Sequence, residues 1–412
     1  MARRMKEQFE DVSSYSSSKE YKKRKKNRRG RAVVRGFLSV LCVLLILVGA
    51  GMIYISTDLI GDLTTTTITK DPVALGIQEN AILDNSIRNI ALFGVDSRNN
   101  AFIGQSDVIM ILTVDNRHHS IKMTSIMRDT RVPIEGETLA GGYLDNWDTK
   151  INAAYNEGGP ELAIRTLNRH FGLDIKDYVT INFVNMAAIV DAFGGVEMEV
   201  TGEEMGEINQ NLWTLSQEVG QQMAEDEANG VYNERNYAVI TDDDYFRDAY
   251  GGVEFDSPDY QGGLKLLNGN QAVAYGRIRN IGNDYARVGR QQKVFSALVK
   301  RLKSIGVTDY PGLIKQMMPY CETNLGLEDI VSMVPILTSS FDIQSITVPD
   351  PRFETDLFDG KAEDDVYYLI YDVTGAAQRI SAFVYEEESP YWDEYGNTAG
   401  EVGENGVTIA SE

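Results

Sequence analysis

The chain has 412 residues and a formal net charge of −22, room for one large domain or two small ones. Its two cysteines, Cys42 inside an apolar run and Cys321 far beyond it, exclude a disulfide-built fold, so an apolar core has to hold the chain. Charge is spread unevenly: residues 1–35 hold 13 Lys/Arg and 4 Asp/Glu, residues 36–56 hold none, and 57–412 hold 26 and 57.

The uncharged run GFLSVLCVLLILVGAGMIYIS has 21 residues. As a helix it would span about 30 Å, the thickness of a bilayer's hydrocarbon core. A secretory signal competes with this reading, but the run is long for a signal core and no small-x-small site clearly follows it. Lys/Arg excess stays on the inner side. The reading is therefore a basic cytoplasmic tail over 1–35, a transmembrane helix over 36–56, and the rest outside the cell membrane. The basic run also resembles a nucleic-acid arm. Attraction to anionic membrane lipid, about 1 kcal/mol per cation, explains it more simply, and no nucleic-acid partner is expected.

Residues 57–86 read as a polar linker. Apolar β-branched runs bounded by turn residues predict strands at 89–95, 107–114 and 119–127, with DNRHH as a hairpin turn. PELAIRTLNRHFG has helical spacing and a glycine stop, DYVTINF reads as a strand, NMAAIVDAFGG as a helix and VEMEV as a strand. Alternation of this kind predicts an α/β fold, a layered αβα domain with a central mixed β-sheet over 87–385. Residues 203–262 read as an acidic surface insertion with a helix around 203–226. QAVAYGRIR then predicts a strand and DYARVGRQQKVFSALVKRLKS a helix. Helices at YPGLIKQMMPY and LEDIVSMVPILTSS and a strand at IQSITV follow, and 386–412 read as an acidic disordered tail.

Within this acidic chain, YGRIRNIGNDYARVGRQQ gathers four arginines in eighteen residues. Strand alternation would put Arg277 and Arg279 on one face beside Tyr275. In the helix beginning near Asp284, Arg287, Arg290 and Gln291 fall at i, i+3 and i+4, one patch leaning toward the apolar stripe of Val288, Phe295 and Leu298. Guanidinium groups leaning inward need an anion. Fixed carboxylates would make a structural ion-pair network. A phosphate or diphosphate would suit the forked donors and the helix N-terminus.

Asp96 and Arg98 follow the first strand, Asp107 opens the second, and Arg128 and Asp129 end the third. If the three form an antiparallel meander, these five residues share one sheet edge. Paired aspartates beside arginines fit magnesium bridging phosphate oxygens. His118, His119 and His170 lack ligand spacing for zinc.

The order GVDSR, SDVIMIL, SIMRDTRV, KINAAYNEGGPE, FVNMAAIVDAFGGVEMEV, LNGNQAVAYGRIRN, DYARVGRQQ, from about Asn89 to about Lys303, resembles the LytR–CpsA–Psr family of bacterial cell-envelope proteins. The resemblance implies transfer of an anionic glycopolymer, such as teichoic acid, from an undecaprenyl diphosphate carrier to peptidoglycan through a phosphodiester, with the lipid in an apolar groove. It implies magnesium at Asp96 and Asp107, and diphosphate held by Arg98, Arg128, Lys150, Arg277 and Arg279 with Gln291 completing the pocket. Asp284, Arg287 and Arg290 match the remaining polar positions. Asp107 or Asp129 would accept the proton of the attacking 6-hydroxyl of N-acetylmuramic acid, so Asp107, Asp129, Arg128 and Arg277 are the catalytic candidates. Gln105 and Met127 depart from the family's usual arginine and proline. Hydrolysis of the same diphosphate, and lipid-carrier binding without turnover, stand as alternative readings.

Overall fold

The computed structural model describes residues 67–396 apart from 96–101, 103, 234–236, 256–258, 307–308, 363 and parts of 327–339. All of these belong to one compact unit, Asp62–Glu412. The tail at 1–35, the uncharged run at 36–56, Asp96 and Arg98 lie outside the described residues. Among those described, no helix is long and apolar enough to cross a membrane.

The three apolar runs form the expected meander: β1 (Ile87–Val95), β2 (Ser106–Asp115) and β3 (Ser120–Ile126), with Phe93 opposite Ile109 and Ile111 opposite Thr124. β6 (Asp177–Asn182) joins β1 and β10 (Asp342–Val348) joins β3, both in parallel. β9 (Glu322–Thr323) completes a six-stranded mixed sheet in the order β10-β3-β2-β1-β6-β9. Gly94 lets β1 and β2 close near the loop that joins them, because a Cβ there would stand 2.8 Å from that of Val108.

Alternation along the strands gives the sheet two apolar faces. Phe93, Ile109 and Ile111 pack with α1 (Ala153–Phe171) and α7 (Val373–Tyr385). Met110, Val114 and Met123 pack on the other face, with Val299 of α5 (Asp284–Ser304). α1 begins earlier than PELAIRTLNRHFG predicts and kinks where Gly159 takes φ 64° just before Pro160, whose ring cannot continue the preceding turn's hydrogen bonding. Gly172 ends it in the left-handed conformation at φ 66°.

A second, smaller layer packs beside α5. It holds α2 (Phe183–Ala192), β7 (Val196–Val200), α3 (Gly202–Ala228), β8 (Gly263–Leu267) and α4 (Gly269–Gly276), with α6 (Tyr310–Met317) against α2. Two hairpins flank the meander: β4 (Arg131–Glu137) with β5 (Tyr143–Lys150), and β11 (Phe358–Lys361) with β12 (Tyr367–Ile370).

Four expectations are corrected. The expected strand at QAVAYGRIR is α4, because Asn268 accepts from the Gln271 amide at 2.9 Å while the Gln271 side chain accepts from the Asn268 amide at 3.0 Å, a reciprocal helix cap. Arg277 is therefore a helix C-cap, and the face shared by alternation with Arg279 and Tyr275 does not exist. Residues 67–86 are no loose linker: Leu75 is fully buried, worth about 1.5–3 kcal/mol, and Arg165 donates to the Val73 and Ala74 carbonyls. The helix expected around 203–226 is α3, but the insertion is not all surface, since Met205, Ile208 and Leu212 at its start are core residues while most of 213–233 is exposed or half-buried. The stretch 386–396 is ordered as a 3₁₀ turn (Glu386–Glu388) and α8 (Trp392–Tyr395); residues 397–412 lie outside the description.

Candidate anion site and apolar cleft

Of the five residues expected at one end of the meander, the three that are described, Asp107, Arg128 and Asp129, lie together. Asp107 opens β2, and Arg128 and Asp129 follow β3. Arg128 donates to Asp107 at 2.7 Å and to Asp129 at 3.3 Å, and the Lys150 ammonium, at the end of β5, lies 2.6 Å from the other Asp129 oxygen. Burial opposes the Arg128 charge, but Asp107, Asp129 and Asp284 outweigh it and hold its pKa above the ordinary value.

The first turn of α5 faces these groups. Asn283 caps it, accepting from the Ala286 amide at 3.1 Å, and Asp284 pairs with Arg287 at 2.7 Å. Arg287 is only 5% exposed, and its Nε has no hydrogen-bond partner among the described residues. Burial, together with the fields of Arg128 and Arg279, pushes its pKa below the ordinary value despite Asp284. Arg279 itself is exposed and has no ion-pair partner among the described residues. Asp107, Arg128, Asp284, Arg287 and Gln291 line one narrow polar pocket.

Two expected members behave differently. Arg290 lies one residue before Gln291 on the helix, rotated by about 100°, and turns away from the pocket. It bonds Glu204 at 3.2 Å and the Ile281 carbonyl at 2.9 Å, a structural clamp on the loop between α4 and α5. Arg277 lies 3.3 Å from Glu218, an exposed pair. Glu204, Glu207, Asn211 and Glu218 form one stripe of α3 at i, i+3, i+7 and i+14. They reach Arg290, Asn280, the Ala274 carbonyl and Arg277 respectively. The acidic helix is thus laid along the arginine stretch.

Gln291 also borders a second space. An apolar cleft, partly open to solvent, is lined by Leu92, Val108, Met110, Val273, Val294 and Phe295 among others, and it shares Val108 and Gln291 with the polar pocket. A long hydrocarbon would gain about 0.8 kcal/mol for each CH₂ buried there.

Sequence reasoning missed the β11–β12 hairpin. The Leu369 amide donates to the Asp129 carbonyl at 2.9 Å. The Tyr367 ring lies 5.8 Å from the Lys150 ammonium, and its hydroxyl bonds Asp359. The apolar run YYLI after an Asp-rich turn was the available signal, too short to stand out.

The tightest gathering of His and carboxylate groups among the described residues is elsewhere: Asp115, His118 and Glu386, at the opposite end of the sheet. The buried Lys122 ammonium already sits there, 2.9 Å from Asp115 and 2.7 Å from Glu386.

This is an α/β protein whose apolar cleft lies beside a pocket of paired guanidinium and carboxylate groups, an arrangement that suits an amphiphile with an anionic head. The chain belongs to the LytR_cpsA_psr family, which matches residues 55–381. It is 30% identical over 215 residues to the polyisoprenyl-teichoic acid–peptidoglycan teichoic acid transferase TagU of Halalkalibacterium halodurans, covering 52% of each chain. The corresponding TagU of Bacillus cereus (strain ATCC 14579) is 26% identical over 347 residues, 81% of this chain and 91% of that one. The chain thus spans about half the length of the first relative. The crystal structure of protein gbs0355 from Streptococcus agalactiae superposes with a TM-score of 0.51 at 20% identity, covering 74% of this chain and 90% of that one, and shows the shared fold.

Proposed function

We propose that this protein is a membrane-anchored phosphotransferase that moves an anionic glycopolymer from an undecaprenyl diphosphate carrier to peptidoglycan. The observation that carries the reading is that the apolar cleft shares Val108 and Gln291 with a pocket whose buried guanidinium lacks a full set of partners. The names of the transferase relatives support the same class. The run at 36–56, with basic residues before it, supports an anchor that leaves the N-terminus cytoplasmic and the domain extracytoplasmic.

The prenyl chain occupies the cleft, and Arg128, Arg279 and Arg287 take the diphosphate. Arg277 joins them by exchanging Glu218, a surface pair worth at most about 1 kcal/mol, for phosphate oxygens. Asp107 and Asp284 offer hard carboxylate oxygens to one pocket, a donor set that fits magnesium. With Asp96 nearby in sequence, they would hold an ion that shields phosphate charge when bound. An acceptor sugar hydroxyl attacks the phosphorus that carries the polymer. A new P–O bond forms, the bond to the prenyl phosphate oxygen breaks, and prenyl monophosphate leaves. Fixed guanidinium groups stabilise the charge that builds on the phosphate oxygens. Asp129 has both oxygens engaged, by Arg128 and Lys150, while Arg128 takes only one oxygen of Asp107. This favours Asp107 as proton acceptor and Asp129 as the group that orients Arg128 and Lys150.

The test uses a prenyl diphosphate-linked saccharide labelled in the sugar, with glycan strands present. Label joined to the strand through a phosphodiester is the expected product. Free saccharide phosphate without linked strand would replace transfer by hydrolysis.

A further inference from the structure

The reaction needs a second substrate, and the sheet indicates where it comes from. The apolar cleft is bounded by α4 and α5, on the face that carries Met110 and Val299. The two hairpins belong to the opposite face: Val132 and Ile134 of β4 and Leu369 of β12 pack with α1 and α7. The polar pocket lies at the Asp107 end of the sheet under α5, and Arg128 links it through Asp129 and Lys150 to Tyr367 on the hairpin side. Displacement at phosphorus is close to in line, so the incoming oxygen arrives opposite the leaving one. A lipid leaving group on the cleft side requires an acceptor on the hairpin side.

That side presents suitable chemistry. Tyr367 is 38% exposed although it lies beside the candidate machinery. Its hydroxyl is held by Asp359, and the phenol feels the charges of Asp129 and Asp284 as well. Lys150 spans from Asp129 to the Tyr367 ring. Asp359 is itself exposed. An exposed aromatic ring with a carboxylate at its tip suits a pyranose, whose C–H face covers the ring while its hydroxyls donate to the carboxylate. Neither residue is needed to hold a prenyl diphosphate.

We infer that Tyr367 and Asp359 of the β11–β12 hairpin form the acceptor subsite, where a sugar of the glycan strand stacks with its hydroxyl directed past Lys150 toward the polar pocket. The inference rests on the proposed transfer reaction and assigns its second substrate. Both residues are positioning residues, so the readout is binding as well as turnover.

The experiment titrates a soluble, uncross-linked peptidoglycan glycan strand into the full-length chain in detergent micelles, and separately titrates a polyprenyl diphosphate. Variants are Tyr367→Ala, Tyr367→Phe and Asp359→Asn. Tyr367→Ala should weaken strand binding about tenfold and Asp359→Asn a few-fold. Tyr367→Phe, which keeps the ring, should stay near the wild-type value, and lipid affinity should hold in all three. Strand affinity unchanged in Tyr367→Ala, no strand binding by the wild type, or a loss of lipid affinity instead would overturn the assignment. Should Tyr367→Ala fail to fold, the exposed Asp359→Asn decides, and strand binding unaltered there overturns it. Strand binding that depends on Tyr367 with no lipid binding would sink the transferase reading and leave this subsite standing.

Discussion

The two ends of the central sheet carry the same kinds of residue and treat charge in opposite ways. At the Asp115 end, Lys122 is wholly buried and its three protons go to Asp115, Glu386 and the Val384 carbonyl, at 2.9, 2.7 and 3.0 Å. His118 closes the network on Asp115 at 2.7 Å. At the Asp107 end, Arg287 is nearly as buried but keeps an unmatched Nε, and Arg279 stands exposed beside it. A completed network is what a fold needs, because an unpaired buried charge costs several kcal/mol. An incomplete one, next to an apolar cleft, is what an anionic ligand needs.

The contrast is sharpest at Lys122. Lys122→Ala leaves Asp115 buried without its cation and should lower unfolding stability by about 3–5 kcal/mol, measured by urea denaturation. Its folded fraction should still bind prenyl diphosphate. Arg287→Met should do the reverse. Asp284 is partly exposed and can be rehydrated, so stability should change by less than about 1 kcal/mol, while diphosphate affinity falls on the order of a hundredfold. A large stability loss without a binding loss would make Arg287 a structural residue like Lys122.

Two smaller effects refine the comparison. Glu218→Gln releases Arg277 from an exposed pair worth at most about 1 kcal/mol, so diphosphate binding should tighten, by less than about fivefold; unchanged affinity would remove Arg277 from the site. At the other end, burial works against a charged His118, but hydrogen bonds with Asp115 and Glu387 outweigh it and raise its pKa. A raised folded-state value means this stabilisation is complete below the unfolded value of about 6.5 and is lost as pH rises through the folded one. The wild type should therefore lose some stability across that window relative to His118→Gln. Parallel pH profiles for the two proteins would remove His118 from the network.

The meander was legible because its strands are β-branched runs with clear turns, and antiparallel connectivity alone brings Asp107, Arg128 and Asp129 to one edge. The helix from Asp284 to Ser304 was legible from its period. At residues 274–279 two patterns competed, since the spacing of Tyr275, Arg277 and Arg279 also suits a strand. The reciprocal cap between Asn268 and Gln271 decided for helix, and it was present in the sequence. Helical spacing groups Arg290 with Arg287 and Gln291, yet Glu204, brought close only by tertiary packing, draws it away. Tyr367 and Asp359 sit on four-residue strands, and although Tyr368 and Leu369 beside Tyr367 are buried, so short a run imposes no period.

The central claim is that the pocket at the Asp107 end is left incomplete for a lipid diphosphate. Calorimetric titration of the full-length chain with a polyprenyl diphosphate, for the wild type and for Arg287→Met, measures it directly. Tight binding by the wild type and a roughly hundredfold loss in the variant is the expected result. Absent binding, or equal affinity in both proteins, would contradict it.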